Sequence, residues 1–163
     1  MSQKLIHETI DERETDATED NNILVVTSKE ERSLYIYENN GSDFEVSQKI
    51  IENGSKLTSG VVSANGNYIA TGDEEGNVKL YSSNGQSYSK TQEFSQSSTG
   101  SRVSVTMSRD SGILLVKTGK SIFVYQAQVF NCNISYCLSC RNTTHCSLCD
   151  ERSSHFLNSA GTC

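Results

Sequence analysis

The sequence predicts an all-β protein, in which antiparallel four-stranded units repeat and a small cysteine-rich module follows them. The first support is an internal repeat: "SLYIYENNGSDFEVSQKI" (33–50) lies over "NVKLYSSNGQSYSKTQEF" (77–94) without a gap, a shift of 44 residues. The second is periodicity, since apolar residues alternate over short runs separated by Asn-Gly and acidic-Gly turns. The third is distribution: the 163-residue chain has six cysteines, and all lie after residue 131.

Residues 1–20 open the chain with seven carboxylates (Glu8, Asp11, Glu12, Glu14, Asp16, Glu19, Asp20) against Lys4 and Arg13, a net −5 of the total −6. High charge with little apolar content predicts a solvated, disordered acidic tail over 1–20. The remaining 13 acids and 12 bases nearly balance, which leaves no basic stripe for phosphates and argues against a nucleic-acid partner. The start has no apolar stretch of signal-peptide length. The longest apolar run, Ile113 to Val116, is far too short to span a membrane as a helix.

Residues 21–129 carry the repeat. At the 44-residue offset Tyr37 meets Tyr81, Asn40 meets Asn84, Gly41 meets Gly85 and Phe44 meets Tyr88, and "SIFVYQ" (121–126) begins the unit a third time with Tyr125. In the second unit the alternation predicts strands near 57–63, 68–72, 77–82 and 88–94. The turns between them, "ANGN", "DEEG" and "SNGQ", supply residues that tolerate positive φ. A four-stranded meander of this length is the unit of a β-propeller.

The stretch "VSANGNYIATGDEEGNVKLYS" (62–82) resembles the core of a WD40 repeat, and 21–38 and 105–126 resemble it more weakly. The resemblance implies an incomplete WD40-like propeller segment of about three four-stranded blades, some partial. Tyr37, Tyr81 and Tyr125 stand where the family has tryptophan, and Ser82 replaces the closing aspartate. Of the family's hydrogen-bonded tetrad, only Thr71 and, at the same offset, Thr27 remain. Three blades fall short of the four to eight of a closed propeller. The expectation is therefore that missing sequence, or another subunit, completes the ring, with the acidic tail standing in place of the first blade's opening strand.

Nothing in this segment predicts an enzyme. The only histidine before residue 145 is His7, in the tail, so no serine or cysteine there has a ready base. The carboxylates Asp73, Glu74 and Glu75 sit in the expected turn between second and third strands and do not match the spacing of a calcium loop.

Residues 130–163 hold the cysteines. The inner four, Cys137, Cys140, Cys146 and Cys149, form C-x2-C-x5-C-x2-C, a pattern that can present four thiolates to zinc. Against zinc, the central loop is short, and Cys132 and Cys163 are left over; His145 and His155 add candidate ligands. Six sizeable apolar residues (Ile134, Tyr136, Leu138, Leu148, Phe156, Leu157) cannot order the module alone, so disulfides or a metal must staple it. The full run C-x4-C-x2-C-x5-C-x2-C, closed by Phe156, Leu157, Gly161 and Cys163, resembles one furin-like, growth-factor-receptor-type cysteine-rich repeat. That resemblance implies three disulfides among Cys132, Cys137, Cys140, Cys146, Cys149 and Cys163, in one of 15 possible pairings. It also implies extracellular exposure and a recognition role.

The combined expectation is a non-enzymatic protein-interaction module, without cofactor, from a larger cell-surface or secreted protein that binds other proteins. The alternative is an intracellular WD40-type scaffold whose C-terminal module holds zinc through Cys137, Cys140, Cys146 and Cys149, in keeping with the lack of a leader. Sequons at Asn40, Asn53, Asn133 and Asn142 do not decide the compartment, because a chain this rich in Ser and Thr yields roughly three by chance.

Overall fold

The computed structural model describes residues 13–96, 102–119, 121–126, 137–142 and 145–149. The chain divides into two units, Met1–Gln126 and Ala127–Cys163.

Three antiparallel sheets build the first unit, and no helix occurs among the described residues. The first sheet is a meander of β1 (Arg13–Ala17), β2 (Ile23–Ser28), β3 (Ser33–Asn39) and β4 (Phe44–Ile51). The second repeats it with β5 (Leu57–Val62), β6 (Tyr68–Asp73), β7 (Asn77–Ser83) and β8 (Tyr88–Ser95), close to the bounds expected from alternation. The third has β9 (Ser104–Met107), β10 (Ile113–Lys117) and β11 (Ile122–Gln126), with β11 at its edge. The first strands neighbour one another, β1 beside β5 and β5 beside β9. No closed ring of sheets is seen among the described residues.

One expectation is corrected here. Arg13–Ala17 is not part of a solvated tail but the opening strand of the first sheet, in register from Arg13 opposite Ser28 to Ala17 opposite Leu24. Its sequence looks wrong for a strand, yet its backbone and the Asp16 side chain are both bonded. Thr27 Oγ1 accepts from Glu14 N and donates to Glu14 O, both at 3.2 Å, and Asp16 Oδ2 accepts the Val62 amide of the second sheet at 2.9 Å. Backbone pairing and these bonds outweigh the poor β propensity of a charged sequence. Residues 1–12 lie outside the described residues.

Successive sheets pack face to face. Val25, Leu34 and Ile36 of the first sheet form one core with Leu57, Val62, Ile69, Tyr81 and Tyr88 of the second. Ala70 and Val78 of the second form another with Val105, Leu114 and Val116 of the third, joined by Val103 just before β9. The second sheet lies between the other two and is buried on both faces, which explains why Leu57 to Gly60 and Ile69 to Asp73 are buried without alternation. The fourth strands, by contrast, read "FEVSQKII" and "YSKTQEFS" and are largely exposed, their charges discouraging further pairing at the edge.

A side-chain-closed turn recurs between first and second strands with a spacing of 45 residues. Thr18, Ser63 and Ser108 each donate a hydroxyl hydrogen bond to an Asx side chain two residues on (Asp20, Asn65, Asp110; 2.6, 2.8 and 2.7 Å). The same hydroxyls accept the amides of Ile23, Tyr68 and Ile113 at 3.0, 2.9 and 2.8 Å. Asn21, Gly66 and Ser111 hold the left-handed position at φ 55°, 70° and 60°. The change of offset revises one equivalence. Thr27 lies opposite Leu34 and Gly72 opposite Val78, so Thr27 matches Gly72, and it is Val26 that matches Thr71.

Two tests follow from this packing and these turns. A Cβ on Gly72 would lie 2.8 Å from Val103 O and 2.9 Å from Ser59 Oγ, so Gly72→Ala is expected to destabilise the chain by about 1–3 kcal/mol in urea unfolding. Unchanged stability would contradict the close approach of the second and third sheets. The turn carboxyls are held below the ordinary aspartate value of 3.8, chiefly by the Thr18 hydroxyl on Asp20 and the Ser108 hydroxyl on Asp110, then by the Asn22 and Gly112 amides. A lowered native value means that the stabilisation is present above 3.8 and lost as pH falls from there through the native value. Replacing Asp20→Asn with Asp110→Asn should flatten that acid limb, and a slope equal to the parent's would refute it.

Candidate functional site

A polar cleft of about 640 Å³ opens between β4 of the first sheet and β7 and β8 of the second. The chain that leaves β4 turns inward at Glu52, which is only 8% exposed. Its carboxylate accepts from Lys79 Nζ through one oxygen and from the Tyr81 hydroxyl through the other. Lys79 and Tyr81 alternate on β7 and so reach this cleft together. Burial, and then the Glu52 carboxylate it faces, push the Tyr81 phenol well above its usual range, so it remains a donor at any physiological pH.

The cleft is also latched by its backbone. Gln48 on β4 donates through Nε2 to Tyr88 O at 2.9 Å and accepts the Tyr88 amide through Oε1 at 2.8 Å. Tyr88 OH in turn donates to Gly66 O. Both Glu52 oxygens accept from neighbours on the second sheet, an arrangement that ties the two sheets together.

The residues singled out by motif are placed as follows. Asp73 is buried at the turn after β6, where Oδ1 accepts the Glu75 and Asn77 amides at 3.0 and 2.8 Å and Oδ2 accepts from Asn77 Nδ2 at 2.9 Å. It organises the turn, as expected of that acidic cluster. Thr71 lies on β6 opposite Lys79 and Gly60, while Thr27 bonds the Glu14 backbone, so the two do not play one role. The Glu52 partnership is unforeseen by motif, because the residue falls between repeats. Its only sequence signal is a carboxylate directly after the apolar pair Ile50–Ile51.

The turns between first and second strands present mixed charge to solvent. Glu19 pairs with Arg109 across two sheets, and its amide donates to Ala64 O at 3.2 Å. The second unit contributes a hairpin of β12 (Cys137–Asn142) and β13 (His145–Cys149), whose register sets Cys137 opposite Cys149, Cys140 opposite Cys146 and Asn142 opposite His145. Cys132, Cys163, His7 and His155 lie outside the described residues. No helix among the described residues is long and apolar enough to cross a membrane.

No protein-family model matches this sequence, and no curated protein matches it. The buried ion pair can be tested directly. Glu52→Gln strands the Lys79 ammonium, and unfolding experiments should show a loss of about 3–5 kcal/mol. Adding Lys79→Met should recover part of it, whereas strictly additive losses would mean that the two groups are not coupled.

Proposed function

We propose that the chain is a non-enzymatic protein-interaction module in which propeller-type sheets carry a disulfide-bonded, furin-like repeat, within a larger cell-surface or secreted assembly. The observation that carries this reading is the threefold turn. Three sheets hold the same hydroxyl–Asx turn, and its exposed residues, among them Glu19, Asp20 and Arg109, offer a polar rim of mixed charge. Rigid scaffolds that hold variable loops in place are how repeat proteins recognise partners. The cysteine module adds a second recognition element, which needs an oxidising compartment if its sulfurs pair with one another.

A second reading has one observation in its favour. The β12–β13 hairpin sets the two C-x2-C pairs opposite each other, an arrangement that also suits a zinc site of Cys137, Cys140, Cys146 and Cys149 in an intracellular scaffold.

Thiol titration under denaturing, non-reducing conditions, with a zinc assay on the same native-source protein, separates the two readings. Three disulfides, no free thiol and no metal are expected. Free thiols with about one zinc per chain would overturn the secreted reading and establish the scaffold.

A further inference from the structure

Four Asn-Gly pairs occur in the chain, Asn40-Gly41, Asn53-Gly54, Asn65-Gly66 and Asn84-Gly85. Such a pair can modify itself. The glycine amide nitrogen gives up its proton and attacks the asparagine side-chain carbon Cγ; a C–N bond forms, and Nδ2 takes up a proton and leaves as ammonia. Water then opens the cyclic imide at either carbonyl, giving aspartate or isoaspartate, and no oxidant or reductant takes part. Glycine presents no Cβ to obstruct the attack. Two groups must be free for it: the glycine nitrogen, and the side-chain amide that has to turn toward that nitrogen.

Three of the four pairs are held against this reaction by their turns. Gly41, Gly66 and Gly85 sit at φ 93°, 70° and 90°. Their nitrogens already donate, Gly41 to Asn39 Oδ1 at 2.8 Å, Gly66 to Ser63 O at 2.9 Å and Gly85 to Ser83 Oγ at 3.0 Å. The side chains are fixed as well. Asn40 Oδ1 accepts the Ser42 and Asp43 amides at 3.0 and 2.9 Å, and Asn84 Oδ1 accepts the Gln86 and Ser87 amides, both at 2.9 Å. Asn65 Oδ1 accepts the Asn67 amide at 3.0 Å and the Ser63 hydroxyl at 2.8 Å.

Asn53-Gly54 differs at each of these points. It lies in the loop between β4 and β5, where both residues are exposed, and Gly54 is not among the glycines at positive φ. Among the described residues, neither the Asn53 side chain nor the Gly54 amide has a hydrogen-bond partner. The loop has room for the ring, since a Cβ placed on Gly54 would meet nothing nearer than Lys79 Nζ at 4.0 Å. The contrast with Asn40 is one of structure alone, because both asparagines are followed by Gly-Ser.

We propose that Asn53 is a self-modification site, converting through the cyclic imide to isoaspartate and aspartate, and that this conversion loosens the clamp beside it. Asn53 lines the cleft and directly follows Glu52, whose amide donates to Arg32 O at 2.8 Å and whose carboxylate holds Lys79 and Tyr81. Isoaspartate routes the main chain through the former side chain and lengthens it by a methylene group at that point. Either product adds a carboxylate to a cleft already lined by Glu52 and Glu93, on a chain of net charge −6. The tie between the first and second sheets therefore weakens as the molecule ages.

Ageing the full folded chain in mildly alkaline buffer made with heavy-oxygen water, followed by peptide mapping, tests this, with the urea-unfolded chain aged alongside. In the folded chain Asn53 should convert at least about 10-fold faster than Asn40, Asn65 and Asn84, whereas unfolding should bring Asn40 level with Asn53. The aged parent should then unfold at lower urea than the fresh protein, and Asn53→Gln should keep its midpoint on ageing. Equal conversion at Asn40 and Asn53 in the folded chain, conversion of Asn53 only after unfolding, or a converted parent with an unchanged midpoint would each overturn the inference. So would a glycan found on Asn53 in the native-source protein, since it occupies Nδ2.

Discussion

The burial of one apolar sheet face beneath the next is the constraint on which the rest of the structure depends. The positions are few: a valine or alanine on the second strand, and Leu34 and Ile36 or Val78 and Leu80 on the third. An isolated three- or four-stranded sheet of this size has one face too many for water, and stacking is what removes it. The close approach requires absences as well as side chains. Gly60, where a Cβ would fall 2.5 Å from Thr27 Cγ2, and Gly72 let neighbouring backbones meet.

Around that stacking, polar groups fix which sheet meets which. Glu52 leaves the first sheet and is held by Lys79 and Tyr81 of the second, while Asp16 of β1 accepts an amide from β5. Gln48 and Tyr88 exchange two hydrogen bonds across the same junction. None of these need add much net stability, since desolvation offsets most of the gain for a buried ion pair. Their contribution is orientation, because each has its partners in only one arrangement of the sheets. The hydroxyl–Asx turn does the same within each sheet, closing the hairpin of first and second strands by side chains that the chain repeats three times.

Much of this was legible from residue order. Alternation located β5 to β8 to within a residue at each end, and the Asn-Gly and acidic-Gly pairs marked turns where Gly41, Gly66, Gly76 and Gly85 have positive φ. Two features escaped for physical reasons. The strand Arg13–Ala17 is stabilised by backbone pairing and by partners such as Thr27 and Val62, so its own side chains give no apolar signal. The drift between offsets of 44 and 45 arises because four residues join β2 to β3 and only three join β6 to β7, a difference that an ungapped alignment hides. The role of Glu52 was invisible for a third reason: its partners lie 27 and 29 residues away, on another sheet.

The central claim is that three sheets of one repeat are stacked through equivalent faces. Residue-resolved amide hydrogen exchange on the intact chain tests it most directly, since protection follows hydrogen bonding and burial without perturbing either. The account requires strong protection to recur at intervals of 44–45 residues, with the turn amides of Ile23, Tyr68 and Ile113 protected alike, and β2, β3, β6 and β7 slowest of all. Protection confined to one sheet, or recurring at no fixed interval, would contradict it.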